Sequence, residues 1–274
     1  MLGEASLLAR ILRFGGITQD NMTDIEVAPL GQDEVHVCIA SLDCPQPEMK
    51  YFENILADDE IKRANRFHFR KDRERFVARR GLLRMILSSY LGMPANEIIF
   101  TYGCHGKPGL RQQDGRPAIE FNLAHSGGTA IYAITRDRRV GVDIEVIKHE
   151  FPLEIVAEHF FSMVEVAALR SLPQSMQRMA FFKCWTRKEA FIKALGDGLS
   201  FPLSNFDVSL MPGQPARLLH VRGSSEEASR WYMEDIDSIA GSAAAIVFSG
   251  PQCRMHINQM GLKSGNGRIG VRNA

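Results

Sequence analysis

Two acids alternate with branched apolar residues through Gly141-Val142-Asp143-Ile144-Glu145-Val146, and no other stretch limits the fold as sharply. An extended chain points successive side chains to opposite faces. Asp143 and Glu145 therefore share one face of a strand, and Val142, Ile144 and Val146 share the other. Two carboxylates stacked mid-strand repel each other unless a cation compensates. A merely solvated strand face is the plain alternative. It is weakened by Arg136–Arg139 and His149-Glu150, which already supply polar surface in the flanking loops.

The second constraint is Trp185-Thr186-Arg187-Lys188-Glu189-Ala190-Phe191-Ile192-Lys193. At about 100° per residue, Phe181, Trp185, Ile192 and Leu195 form one apolar helix stripe. Glu189 and Lys193 lie four residues apart on its flank. Alone they could be a surface ion pair worth about 0.3–0.5 kcal/mol. Lys188 falls inside the apolar arc, where a cation can snorkel to the surface or, more naturally, reach a buried anion. Three acids and a lysine suit a hard cation such as Mg²⁺, which usually shares its coordination with substrate phosphate. Phosphate chemistry is the expectation.

Cations concentrate elsewhere. Residues 62–84 carry ten lysines and arginines, Arg63 and Arg75 among them, against Asp72 and Glu74, in a chain of net charge +1. Such a strip attracts anions locally. The near-neutral total argues against a protein that coats nucleic acid, and no stacking platform accompanies the strip. Nucleic-acid binding by the strip and metal-dependent phosphodiester hydrolysis of coenzyme A or a nucleotide stand as rival readings. The five cysteines are scattered without a C-x-x-C pair, which fits a reducing cytoplasm. No apolar run is long enough to span a membrane, and Arg10 interrupts the only N-terminal apolar stretch, so neither a span nor a signal peptide is expected.

Periodicity predicts strands at 34–42, 97–102, 119–123, 129–135 and through Asp143, then at 205–210, 230–236 and 242–248. Helices are expected from near Glu60, over 72–91, 153–159, 162–171 and 176–195. Ser162 and Glu165 have the capping-box spacing, and Gly196-Asp197-Gly198 stops the last helix. This order predicts an α+β fold of two similar halves, 34–139 and 140–250. Residues 1–33 read as an extension and 251–274 as a disordered tail. Gly106-Lys107-Pro108 and 121–128 read as loops holding one cation each, Lys107 and His125, with glycines that permit close approach to a phosphate.

Taken in order, G-K-P at 106–108, F-N-x-x-H-S-G at 121–127, G-V-D-I-E at 141–145, F-F-S-x-x-E at 160–165 and W-x-x-K-E-x-x-x-K at 185–193 resemble the motifs of the Sfp-type 4′-phosphopantetheinyl transferases. The resemblance runs from about Arg63 to Leu203. It implies two pseudo-twofold-related α+β halves with coenzyme A in the cleft between them. It also implies transfer of the phosphopantetheine arm from coenzyme A to a serine of an apo acyl or peptidyl carrier protein, releasing 3′,5′-ADP. By that pattern Asp143, Glu145 and Glu189 ligate Mg²⁺, Lys193 neutralises the reacting phosphate, and Glu189 takes the serine proton directly or through water. Arg63, Arg75 and His125 match positions that hold the 3′-phosphate and neighbouring groups. Lys107 and Pro108 match the loop beside adenine, and Lys188 is grouped with the cofactor-binding side chains. No nucleic-acid or membrane partner is implied, and a monomer suffices. Ala124 departs from the pattern, standing where many relatives carry serine, which removes any hydroxyl contact to phosphate.

Overall fold

The computed structural model describes residues 28–103, 106–111, 118–196, 201–224, 226–262 and 269–273. The expected extension over 1–27, Asp197-Gly198 and residues 263–268 of the expected tail lie outside the described residues.

The first half runs β1 (Glu34–Ser41), α1 (Gln46–Ile55), α2 (Asp58–Ala64), α3 (Arg70–Leu91), β2 (Phe100–Tyr102), β3 (Pro108–Leu110), β4 (Ile119–Ser126) and β5 (Thr129–Arg136). The second runs β6 (Val140–Val146), α4 (Leu153–Phe160), α5 (Met163–Ser171), α6 (Gln174–Leu195), β7 (Phe206–Val208), β8 (Leu218–Val221), β9 (Trp231–Asp235) and β10 (Ser242–Ser249). Two further strands follow, β11 (Arg254–Leu262) and β12 (Ile269–Asn273).

The α+β layout is as expected. A five-stranded sheet ordered β12-β11-β1-β5-β4 faces a three-stranded sheet ordered β6-β10-β9. Val35, Val37, Ile131 and Ala133 of the first sheet interlock with Val142, Ile144, Ile246 and Phe248 of the second. Each sheet buries its outer face under a 22-residue helix. Leu83, Ile86 and Leu87 of α3 cover Tyr132 and Cys38, while Phe191 and Ala194 of α6 cover Ala245 and Val247. Strand alternation thus produces four layers from two amphipathic helices and two sheets. The halves share this layout but differ in strand number.

Two expectations need correction. Residues 254–262 are no tail, because β11 pairs in parallel with β1 from Glu34↔Arg254 to Ala40↔Met260. Met255 and Ile257 pack on the core between the sheets, and the strand covers what would otherwise be an open edge of β1. Its partner lies more than two hundred residues upstream, so no local pattern announces the pairing. At the other end, Leu30 is buried in the α3 core, so residues 28–33 belong partly to the domain.

Candidate active site

The site is set by how closely α6 lies on β6. A Cβ on Gly141 would stand 2.0 Å from the Ala190 carbonyl oxygen and 2.4 Å from the Ala194 nitrogen. Only glycine lets the helix backbone ride on the strand. That approach brings Glu189 and Lys193 over the acidic face of β6, where the Lys193 ammonium donates to Asp143 Oδ1 at 2.6 Å.

Side chains rather than a backbone ladder join β4 to β6. Asn122 Oδ1 accepts from the Val142 N–H at 2.9 Å, and Ser126 Oγ accepts from the Val146 N–H at 3.1 Å. The Ser126 hydroxyl then donates to Glu145 Oε2 at 2.9 Å, orienting that carboxylate. The stretch 121–126 is therefore strand, not loop, and the turn is confined to Gly127-Gly128, with Gly127 at φ 62°. His125 points to the opposite face of β4 from Asn122 and Ser126, towards the cleft.

That cleft has a volume of about 500 Å³. Arg63, Pro108, His125, Asp143, Glu145, Glu189 and Lys193 all line it, joined by Phe76, Arg79, Arg80, Tyr102 and Trp185. Phe76 anchors two of the cations: the Arg63 and Arg79 guanidinium carbons lie 5.6 and 5.4 Å from its ring centroid. The Arg79 Nε is buried without a hydrogen bond. Burial, with Arg80 and Arg63 adding repulsion, pulls its guanidinium down to about 10. Burial also pulls His125 down to about 4, helped by the charges of Arg79, Lys193 and Arg75. This corner is short of negative charge and would gain from an anion.

The acidic corner has the reverse deficit. Burial pushes the Asp143 carboxyl up to about 7, and the neighbouring Glu189 and Glu145 add to this against the opposing Lys193. Burial likewise raises Glu189. Asp143 Oδ2 is shut off from solvent and makes no hydrogen bond. A free carboxylate oxygen beside two further acids is the oxygen chemistry that suits Mg²⁺, although the three side chains do not all bring an oxygen within 4.8 Å of one another. Asp143, Glu145 and Glu189 would be the side chains to hold it.

Three sequence-predicted residues do not line this cleft. Lys188 is fully buried; its ammonium pairs with Glu165 at 2.8 Å and donates to the Leu203 and Phe206 carbonyls at 2.9 and 2.6 Å. It holds α6 to α5 and β7, so the expected cofactor contact is corrected to a structural one. Glu165 completes this hub by accepting from the Ser162 and Val208 N–H groups. The Lys107 ammonium donates to the Lys193 and Val140 carbonyls at 2.5 and 3.3 Å, capping an open carbonyl at the end of α6. Its neighbours Gly106 and Pro108 line the cleft instead. Arg75 is engaged by both oxygens of Asp43 and by the Gly127 carbonyl.

Arg79 and Arg80 belong to the basic strip of residues 62–84 but are not marked there as cleft residues. Arg79 lies three residues after Phe76 and four before Leu83, inside the apolar stripe of α3. The signal that marked Lys188 on α6 marks it equally. Arg80 is mostly committed, pairing with Glu60 and donating to the Tyr102 hydroxyl at 2.8 Å.

Residues 139–247 match the family model described as the 4′-phosphopantetheinyl transferase superfamily, and residues 44–136 match that described as 4′-phosphopantetheinyl transferase, N-terminal. The chain is similar to the 4′-phosphopantetheinyl transferase HetI of Nostoc sp., with 37% identity over 218 residues covering 80% of this chain and 89% of the relative. It is 40% identical to psf-1 of Bacillus pumilus over 156 residues, covering 57% of this chain and 64% of that one. Against Sfp of Bacillus subtilis the identity is 31% over 166 residues, covering 60% and 71%.

Proposed function

The chain belongs to the Sfp-type 4′-phosphopantetheinyl transferases, and on that premise we propose how its cleft carries out the transfer from coenzyme A to an apo carrier protein. The reaction joins the carrier serine Oγ to the phosphorus bearing the pantetheine arm. It breaks that phosphorus's bond to the bridging oxygen, and 3′,5′-ADP leaves. Arg63, Arg79 and His125 receive the 3′-phosphate at the cation-rich corner. Asp143, Glu145 and Glu189 hold Mg²⁺ at the other. When bound, the ion neutralises charge on the diphosphate and the departing oxygen. Glu189 accepts the serine proton directly or through one water. Lys193, partly exposed and paired with Asp143, can exchange that contact for a phosphate oxygen. Phosphoryl transfer asks mainly for such positioning and neutralisation. Both corners come from one chain, so a monomer is sufficient. The comparisons lend no support to the phosphodiesterase or nucleic-acid readings.

The observation that carries this assignment is the buried, unpaired Asp143 Oδ2 in the same cleft as the unsatisfied Arg79. Intact-mass analysis of apo carriers incubated with coenzyme A and Mg²⁺ tests it. The wild-type protein should add one phosphopantetheinyl arm, and Asp143→Ala should slow the addition by about 10³-fold or more while circular dichroism stays unchanged. Transfer by Asp143→Ala at the normal rate would overturn the site.

A further inference from the structure

We propose that Glu34, His36 and His256 form a second metal site, outside the cleft, suited to a borderline divalent cation such as Zn²⁺. The pairing of β11 with β1 creates it. In that parallel register His36 lies opposite His256, so the two imidazoles stand side by side on one face of the sheet. Their ring centroids are 5.2 Å apart at an interplanar angle of 74°. Glu34, two residues before His36, shares that face.

The donor atoms converge. Glu34 Oε1 lies 3.5 Å from His256 Nε2, and Oε2 lies 3.7 Å from His36 Nε2. One ligand atom from each residue falls within 4.8 Å of the others. Bonds of about 2.0–2.2 Å to a tetrahedral Zn²⁺ put its ligands roughly 3.3–3.5 Å apart. The spacing is long for hydrogen bonds and right for a shared ion. Both Nε2 atoms are shut off from solvent and neither makes a hydrogen bond. His36 itself is only 1% exposed, so its unpartnered nitrogen is aimed into a closed space.

The surroundings orient these ligands as an outer shell should. His36 Nδ1 is 2.7 Å from the Tyr90 hydroxyl, which lets Nδ1–H donate there and leaves Nε2 as the free lone pair. The Gly31 N–H donates to Glu34 Oε2 at 2.9 Å. The competing group is Arg254, whose Nη1 is 3.3 Å from Glu34 Oε1. Its side chain is 74% exposed and free to turn outward. Two imidazoles and one carboxylate leave one position for water, and the mixed N/O set selects a borderline metal over Mg²⁺.

Its effect is on the fold. The ion would clip β11, which follows the family-model match ending at residue 247, onto the first strand. Tyr90 and Arg79 are eleven residues apart on α3, about 16 Å along its axis, so the clip acts independently of the transfer chemistry.

The test is equilibrium dialysis of the chelator-treated full chain against micromolar Zn²⁺ in excess Mg²⁺. The wild-type protein should retain one Zn²⁺ more than His256→Gln, a change at a half-exposed residue. Zn²⁺ should raise the melting midpoint of the wild type and leave that of His256→Gln unmoved. Glu34→Gln should weaken retention at least tenfold. Asp143→Ala should keep the extra ion, which separates failure of this site from failure of the catalytic reading. Equal Zn²⁺ content in wild type and His256→Gln, or no Zn²⁺ in either, would overturn the proposal.

Discussion

The two long helices are built alike and used oppositely. α3 and α6 are both 22 residues long and both end on a left-handed glycine, Gly92 at φ 62° and Gly196 at φ 82°. Each buries a charged hub with a short helix that precedes it. In the first half Glu60 of α2 pairs with Arg80 and with Arg84, the latter at 2.6 Å. In the second, Glu165 of α5 pairs with Lys188. Both glutamates also reach back to cap their own helix, accepting from the Ala57 and Ser162 N–H groups. The scaffold repeats, then, down to the acid that fastens each pair of helices. The difference lies in the residues beside each hub. Beside its hub α3 turns Arg79 to the cleft, and α6 turns Glu189 and Lys193. One half presents cations to the cleft and the other carboxylates, which suits the proposed diphosphate ligand with its separate phosphate.

The likeness can be broken first, where the expected effect is largest. Removing one partner of a buried ion pair leaves an uncompensated charge and costs about 3–5 kcal/mol. Glu60→Ala and Glu165→Ala should each destabilise the protein on that scale in chemical denaturation. Glu60→Ala should cost more, because it leaves two guanidiniums without a counter-charge where Glu165→Ala leaves one ammonium, and the neutral partners that remain are similar: the Tyr102 hydroxyl for Arg80, the Ala95 and Ile98 carbonyls for Arg84, and two carbonyls for Lys188. A loss below 1 kcal/mol in either variant would mean that its half is held by apolar packing alone.

The contrast between the cleft faces is sharpened by Arg79→Gln. Its guanidinium has an unsatisfied Nε and little else to hold. The KM for coenzyme A should rise about 10–100-fold with kcat nearly unchanged, the value of one or two charge-assisted hydrogen bonds. Dephospho-coenzyme A, lacking the 3′-phosphate, should show a much smaller penalty. An equal penalty for both would move Arg79 away from that phosphate.

How much of this was legible beforehand differs between the same two regions. Strand and helix periodicity located β6 and α6, and with them Asp143, Glu145, Glu189 and Lys193, because those side chains act on the element that carries them. The anion-binding side was less readable. Arginines at 62–84 were visible as a group, but their partners were not. Asp43 engages Arg75, Glu53 engages Arg73 and Glu60 engages Arg84 from separate segments. The partners of Lys107 are hidden for the same reason, its acceptors being carbonyls of β6 and α6. β11 is not legible locally because a parallel strand takes its register from a distant partner. Composition finds charges; only the packed chain decides which remain free.

The smallest expected effect bears on the acidic corner alone. With its carboxyl raised to about 7, Asp143 is largely neutral at pH 6 and ionised at pH 8. A cation entering this corner must displace that proton, so the apparent Mg²⁺ affinity measured without coenzyme A should fall about tenfold from pH 8 to pH 6. His125, at about 4, and Arg79, at about 10, do not titrate in that window, which keeps the opposite corner out of the profile. Metal-free stability supplies the matching sign. A folded-state value above the ordinary 3.8 means that the folded chain holds its proton longer than the unfolded chain as pH rises. Stability without metal should therefore decline between pH 4 and 7, by a few kcal/mol at most, and Asp143→Asn should flatten that decline. A pH-independent Mg²⁺ affinity, with a flat stability profile in the wild type, would show that Asp143 is already ionised and that Lys193 alone satisfies it. The acidic corner would then need no metal to balance its charge.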